Sequence, residues 1–177
     1  MKRVLCLLID GFEEIETVTP VDVLRRAGAE VVIASLKDKT ATGRCGIRVE
    51  ADVLLGEVDT TDFDLLLIPG GPGVGDLRAD GRAAVLAKEF AAAGKPVAAI
   101  CAAPLVLMDA GLLTGKRFTA YQSVRPELGG GEDERVVVDG NILTSRGAGT
   151  ALDFALALVT HLFGRETADQ VAAEIMA

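Results

Sequence analysis

Apolar residues along this chain gather in short unbroken runs, and the segments between the runs carry helical spacing. Val4-Leu-Cys-Leu-Leu-Ile9 is bounded by charge and by Gly11, the signature of a strand buried on both faces. Glu13 to Ala27 follows, with Ile15, Val18, Val21 and Leu24 at three-residue intervals and Gly28 behind them. That pattern predicts a helix with a glycine stop, and Pro20 inside it predicts a kink or a late restart. Glu30–Ser35 and Asp64–Ile68 repeat the strand pattern, the second running into Pro69-Gly-Gly-Pro-Gly73. Between them, Thr40 to Val53 mixes Gly, Thr and Arg with short alternation and predicts a hairpin or an excursion at the sheet edge.

Arg82 to Ala93 predicts a helix closed by Gly94, and Pro96-Val-Ala-Ala-Ile100 a strand ending at Cys101. An apolar helix then runs through Leu107 and Met108. Phe118–Tyr121 and Arg135–Val138 are strand-like, and Asp139-Gly140 makes a tight turn into Asn141–Thr144. Leu152, Leu156, Val159 and Phe163 mark one helical face, and a short last helix begins at Glu166. Strands alternating with helices across glycine-marked turns imply an α/β fold. The reading is one doubly wound, Rossmann-like domain over residues 1–177, with a mostly parallel sheet and helices on both faces.

Composition narrows the function. At 177 residues, 50% hydrophobic and 25% charged, one domain buries roughly 70% of its unfolded surface and needs no disulfide or metal. Lys and Arg total 18 against 26 for Asp and Glu, a net charge of -8. That balance offers no footprint for phosphate backbones or anionic lipid, so neither nucleic-acid nor membrane-surface binding is expected. No apolar run reaches membrane-spanning length and Met1-Lys2-Arg3 leads straight into a strand, so the expected location is cytoplasmic. Cys6, Cys45 and Cys101 cannot all pair, none lies in a Cys/His cluster, and His161 is the only histidine. No metal site is expected.

In such folds ligands gather beyond the carboxyl ends of the strands. Three segments end there: Asp10-Gly11, which opens a helix bearing Glu13, Glu14 and Glu16; Gly70-Gly71; and Cys101. A nucleophile between a strand and the next helix sits exposed on a sharp turn with backbone N–H groups aimed at it. Small neighbours (Ala99, Ala102, Ala103) permit that turn, and Pro104 suits a first helical position. Lowering a thiol from about 8.5 to about 6 takes roughly 3.4 kcal/mol. A helix N-terminus gives about 0.3–2 kcal/mol, and a hydrogen bond to charged sulfur about 1.5–3. The two together suffice. Cys6, mid-strand, reads as core; Cys45 as a surface or contact residue; His161, far along the chain, as core or surface filler. Glu13 and Glu14 suit the positive end of a helix. Glu16, if buried and protonated opposite Cys101, donates to the thiolate and shuttles a proton. Gly70 and Gly71 are either a plain turn or, with Ala102, backbone donors to an oxyanion.

Gly11-Phe-Glu-Glu-Ile-Glu-Thr17, Pro20-Val-Asp-Val23, Pro69-Gly-Gly71, Ala98-Ala-Ile-Cys-Ala-Ala-Pro104 and Thr144-Ser-Arg-Gly-Ala-Gly-Thr150, in that order and spacing, resemble the ThiJ/PfpI family. The branch is that of the Parkinson-disease protein, DJ-one, and its bacterial relatives. The resemblance implies a flavodoxin-like fold, a homodimer, Cys101 as an oxidation-sensitive nucleophile, Glu16 as its carboxyl partner, and Gly70, Gly71 and Ala102 as donors around it. It also implies cofactor-free glyoxalase or deglycase chemistry on 2-oxoaldehydes such as methylglyoxal, or on their protein and nucleotide adducts. The alternative is a redox sensor or chaperone-like protective protein working through Cys101 oxidation. Tyr121 stands where several relatives carry a site histidine, and its hydroxyl is expected to orient substrate. Ala102 stands where the protease and amidase branch has a histidine, which argues against hydrolysis of peptides or amides. Ala103 and Ala148 replace a Gly and a Pro of close relatives, and Cys45 falls near an interface arginine. No phosphate loop supports a kinase-type assignment.

Overall fold

The computed structural model describes residues 1–177. A seven-stranded sheet is built from β1 (Arg3–Leu8), β2 (Glu30–Ser35), β5 (Val53–Leu54), β6 (Leu65–Ile68), β7 (Val97–Ile100), β8 (Val136–Asp139) and β9 (Ile142–Ser145), in the order β5-β2-β1-β6-β7-β9-β8. Every neighbouring pair is parallel except β8 against β9. A separate antiparallel hairpin joins β3 (Thr40–Thr42) to β4 (Arg48–Glu50).

The apolar runs are explained by the two faces of this sheet. Val4, Cys6 and Leu8 of β1 enter one core, roofed by α1 (Glu14–Arg26), α6 (Ala151–Phe163) and α7 (Arg165–Glu174). Leu5 and Leu7, with Ile9 just beyond the strand, enter the other core, under α2 (Val74–Asp80), α3 (Arg82–Ala92) and α4 (Pro104–Asp109). Leu65 and Leu67 divide from Leu66 and Ile68 in the same way. Each such leucine gains about 1.5–3 kcal/mol by burial, so a strand polar on either face would forfeit one of the two layers.

Four expectations about elements are corrected. Phe118–Tyr121 is not a strand: Thr119 N–H donates to Thr144 Oγ1 (2.9 Å) and Tyr121 N–H to the Cys101 carbonyl (2.8 Å), so these amides serve a side chain and a turn rather than a ladder. α1 runs unbroken through Pro20, which is buried. Its buried stripe is Glu16, Thr17, Pro20, Val21, Val23 and Leu24, while Ile15 and Val18 stay 52% and 51% exposed. A strict three-residue interval drifts about 60° round the helix at each step, so Ile15 and Leu24 end on opposite sides. In α6 the buried face is Ala151, Phe154, Ala155, Leu158 and Val159; Leu156 and Phe163 are only partly buried and Leu152 is exposed. The short α2 and the single-turn α5 (Arg125–Leu128) lie in segments with no clear apolar period. No helix is long and apolar enough to cross a membrane.

Candidate active site

Cys101 follows β7 directly and adopts φ +67°, a left-handed conformation shared by only one other non-glycine residue, Met176. Such a conformation costs on the order of 1–3 kcal/mol and persists because both sides of the peptide are held. The Cys101 N–H donates to the Ser145 carbonyl (2.9 Å), and the Cys101 carbonyl accepts from Tyr121 N–H (2.8 Å). The thiol is partly exposed, whereas Cys6 is sealed in the core and Cys45 is exposed. The helix beyond the turn is weaker than anticipated. α4 starts three residues after the cysteine and has six residues, so local amides, not a helix dipole, face the sulfur. They are the N–H groups of Gly71 and Ala102.

Glu16 reaches the same point from α1. Glu13 caps the helix by accepting from the Glu16 N–H at 2.8 Å, which sets Glu16 in the first turn. The Glu16 side chain is 1% exposed and hydrogen-bonds the Cys101 side chain. Gly70 N–H donates to Glu16 Oε2 at 3.1 Å, and the backbone of Ala148 bonds the same carboxyl group. Gly70 is thus engaged by the carboxyl rather than aimed at an oxyanion. Its lack of a side chain is required, since a Cβ there would collide with Glu16 Oε2, Cys101 Cβ and the Ile100 carbonyl. Gly71, at φ +107°, lies against the backbone of Gly11, Phe12 and Glu13, which also excludes a Cβ.

The electrostatics couple the two groups. Burial pushes the Glu16 carboxyl up to about 7, against hydrogen bonds from Cys101, Gly70 and Ala148 that favour its charge. Burial, then the Glu16 charge and its hydrogen bond, push the Cys101 thiol up to about 12, opposed by Gly71 and Ala102. This direction is opposite to the one anticipated from backbone amides alone. Burial is the main reason, and the carboxylate adds to it. Two of the three raising causes belong to ionised Glu16: when the proton sits on Glu16 and the sulfur carries the charge, the repulsion vanishes and the hydrogen bond runs from the carboxyl to the sulfur.

Above the sulfur opens a cavity of about 740 Å³ lined by Glu13, Glu16, Gly71, Cys101, Ala102 and Tyr121 among others. Tyr121 is 45% exposed on its wall, with its ring beside Gly147. His161 lies elsewhere, in a separate groove between α6 and α7. No group of three or more His, Cys, Asp or Glu residues is arranged to hold a metal ion. Sequence reasoning missed the Ala148 contact to Glu16, the Ser145 carbonyl, and four arginines of the cavity, Arg44, Arg125, Arg135 and Arg146. Only the run Thr144–Thr150 carried a signal for any of them.

A profile of the DJ-1/PfpI family matches residues 2–161. The protein DJ-1 homolog B of Arabidopsis thaliana is 42% identical over 93% of this chain, which spans only 39% of that relative's length. A deglycase of Pyrococcus abyssi is 40% identical over 81% of this chain and 89% of its own. YraA of Bacillus subtilis, which carries a cysteine-protease name, is 45% identical over 82% of this chain and 89% of its own. Among solved structures, oxidized DJ-1 of Toxoplasma gondii superposes with a TM-score of 0.94 at 37% identity, covering 99% of this chain and 98% of that one.

Proposed function

This chain belongs to the DJ-1/PfpI family, and from that membership and the geometry around Cys101 we propose that it is a cysteine-dependent, cofactor-free enzyme of glyoxalase or deglycase type. Its substrates in this reading are 2-oxoaldehydes such as methylglyoxal, or their adducts on proteins and nucleotides. The observation that carries the reading is a partly exposed thiol on a strained turn, hydrogen-bonded to a buried carboxyl group and open to a cavity. The deglycase name of the Pyrococcus relative supports it.

The nucleophilic form is the tautomer with the proton on Glu16 and the charge on sulfur, where Gly71 and Ala102 donate to the anion. Sulfur adds to the aldehyde carbon, and the new oxyanion takes over one of those amide donors. The oxyanion takes the proton held by Glu16 and passes it to the neighbouring carbonyl oxygen, while the freed Glu16 carboxylate carries the proton of the former aldehyde carbon to the neighbouring carbon, so the first carbon is oxidised and the second reduced with no external oxidant. The product is a thioester of a 2-hydroxy acid. Water cleaves it, returns the thiol and releases lactate when the substrate is methylglyoxal. Gly70 and Ala148 hold Glu16 in place, and the Tyr121 hydroxyl orients substrate from the cavity wall. Peptide hydrolysis is disfavoured despite the name of the Bacillus relative: Ala102 follows the cysteine, and His161 is outside the cavity.

A second reading, a redox sensor, is favoured by the same accessible sulfur. A sulfinate at Cys101 would accept from Gly71 and Ala102 and from a protonated Glu16, and the Toxoplasma neighbour is an oxidized DJ-1. One experiment separates the readings. Lactate formed from methylglyoxal without glutathione, and lost at least a hundredfold in Cys101→Ala, is the expected result; unchanged turnover in that variant removes the enzyme reading. Oxygen uptake at Cys101 under mild peroxide, in a protein without turnover, would leave the sensor alone standing.

A further inference from the structure

The chain as a whole is acidic, at -8, yet the cavity over Cys101 reverses that balance. Arg44, Arg125, Arg135 and Arg146 line it against Glu13, Glu16 and Asp133. Three of the four guanidiniums are engaged. Arg125 donates to the Ala120 carbonyl (3.0 Å) and shares Asp133 with Arg146, each at 3.2 Å. Arg135 bonds the Gly149 carbonyl and Asp153. Asp133 is a single carboxylate serving two arginines, and its side chain is 80% exposed. Arg44 differs from all three: its side chain makes no hydrogen bond and no ion pair, although its backbone is fixed. Its N–H donates to the Phe12 carbonyl at 2.9 Å, and the next N–H, of Cys45, donates to Glu14 Oε1 at 2.7 Å.

We infer that Arg44, backed by Arg125 and Arg146, forms an anion subsite that selects substrates carrying a carboxylate or phosphate group near the carbonyl attacked by Cys101. A guanidinium on a fixed backbone, with no hydrogen bond or ion pair and with the Glu14 carboxylate acting on it only at longer range, offers a planar fork that matches either anion. Neutral methylglyoxal makes no use of it. Asp133 is the resting counter-ion of Arg125 and Arg146, and being exposed it can yield one of them to an arriving anion. The inference rests on Cys101 as the nucleophile of the proposed function, and its test is independent of turnover.

The test compares alkylation of Cys101 by iodoacetate and by iodoacetamide, which form the same carbon–sulfur bond with loss of iodide and differ in charge. Rates are read from the Cys101 peptide by mass spectrometry, with N-acetylcysteine as reference. The iodoacetate-to-iodoacetamide ratio at Cys101 is expected to exceed the reference and to fall about fivefold in Arg44→Gln, the size of one solvent-exposed ion pair. Arg44→Lys should keep most of the ratio. Inorganic phosphate or acetate should slow iodoacetate more than sodium chloride of equal ionic strength. Stronger protection by phosphate indicates phosphorylated substrates, and stronger protection by acetate indicates carboxylated ones. A ratio unchanged in Arg44→Gln, or no protection beyond that of chloride, overturns the subsite. Failure of the enzyme reading looks different: a charge-selective Cys101 with no lactate from methylglyoxal.

Discussion

At Cys101 and Glu16 the titrating unit is the pair, because each group's charge and hydrogen bond act on the other. The pair sheds its first proton near the Glu16 value of about 7 and its second near the Cys101 value of about 12. Between those steps one proton is shared, and a fixed fraction of molecules holds it on the carboxyl with the sulfur charged. Iodoacetamide should therefore alkylate Cys101 along a curve that rises near pH 7 and flattens, not one that rises near 9. In Glu16→Gln no proton can be shared, burial again opposes the thiolate, and the rise should move up by about one to two pH units. Identical curves near 9 for both proteins would remove Glu16 from the chemistry. The same carboxyl also leaves a stability signature. Its value is raised from 4.5 to about 7 on folding, so its favourable contribution is full below 4.5 and is lost as pH climbs through 7. Glu16→Gln should flatten that part of the pH–stability curve.

Among elements, the β3–β4 hairpin shows how an edge excursion becomes part of a site. Thr42 N–H donates to Asp10 Oδ1 (2.7 Å), Gly11 N–H to the Thr42 carbonyl (2.8 Å), and the amides of Cys45 and Ile47 to Glu14 Oε1 (2.7 and 3.4 Å). These bonds clamp the hairpin over the β1–α1 turn and bring Arg44 to the cavity. Glu14 Oε2 is buried without a partner, so one oxygen carries the clamp. Hydrogen bonds to a charged acceptor are worth about 1.5–3 kcal/mol. Glu14→Ala should therefore raise amide exchange at Cys45 and Ile47 by about tenfold or more while β1 and β6 keep their protection. Equal protection in variant and parent would show that the strands alone hold the hairpin. The hairpin's existence was legible in its Gly, Thr and Arg alternation, as were both faces of the central strands and the turn at Cys101. Its docking was not, because the acceptor of the Cys45 amide lies 31 residues earlier in the chain. Periodicity records which residues shun water and carries no trace of which carboxylate meets which amide. Glu16 could be picked out from its helix position, whereas Ser145 and Ala148 showed only as members of the Thr144–Thr150 run and Arg44 had no local pattern to reveal it.

Taken whole, the molecule leaves one apolar surface uncovered near its site. Ile15 and Val18 are neighbours one turn apart on α1, and Ile47, 57% exposed, sits on the hairpin that Glu14 ties to the start of that helix. Apolar side chains grouped in this way mark an association face. We assign it to a second copy of this chain, the homodimer that the family resemblance implies. Sedimentation should give twice the chain mass, and Ile15→Asp with Val18→Asp should halve it without loss of helical signal. A parent protein that sediments as a single chain would dismiss this assignment. The fold's other demand falls on the turn at Cys101. Positive φ suits glycine and strains every residue with a side chain, so a chain shaped by thermal endurance alone would carry glycine at position 101. In the proposed function that strain is borne because position 101 supplies the reacting sulfur.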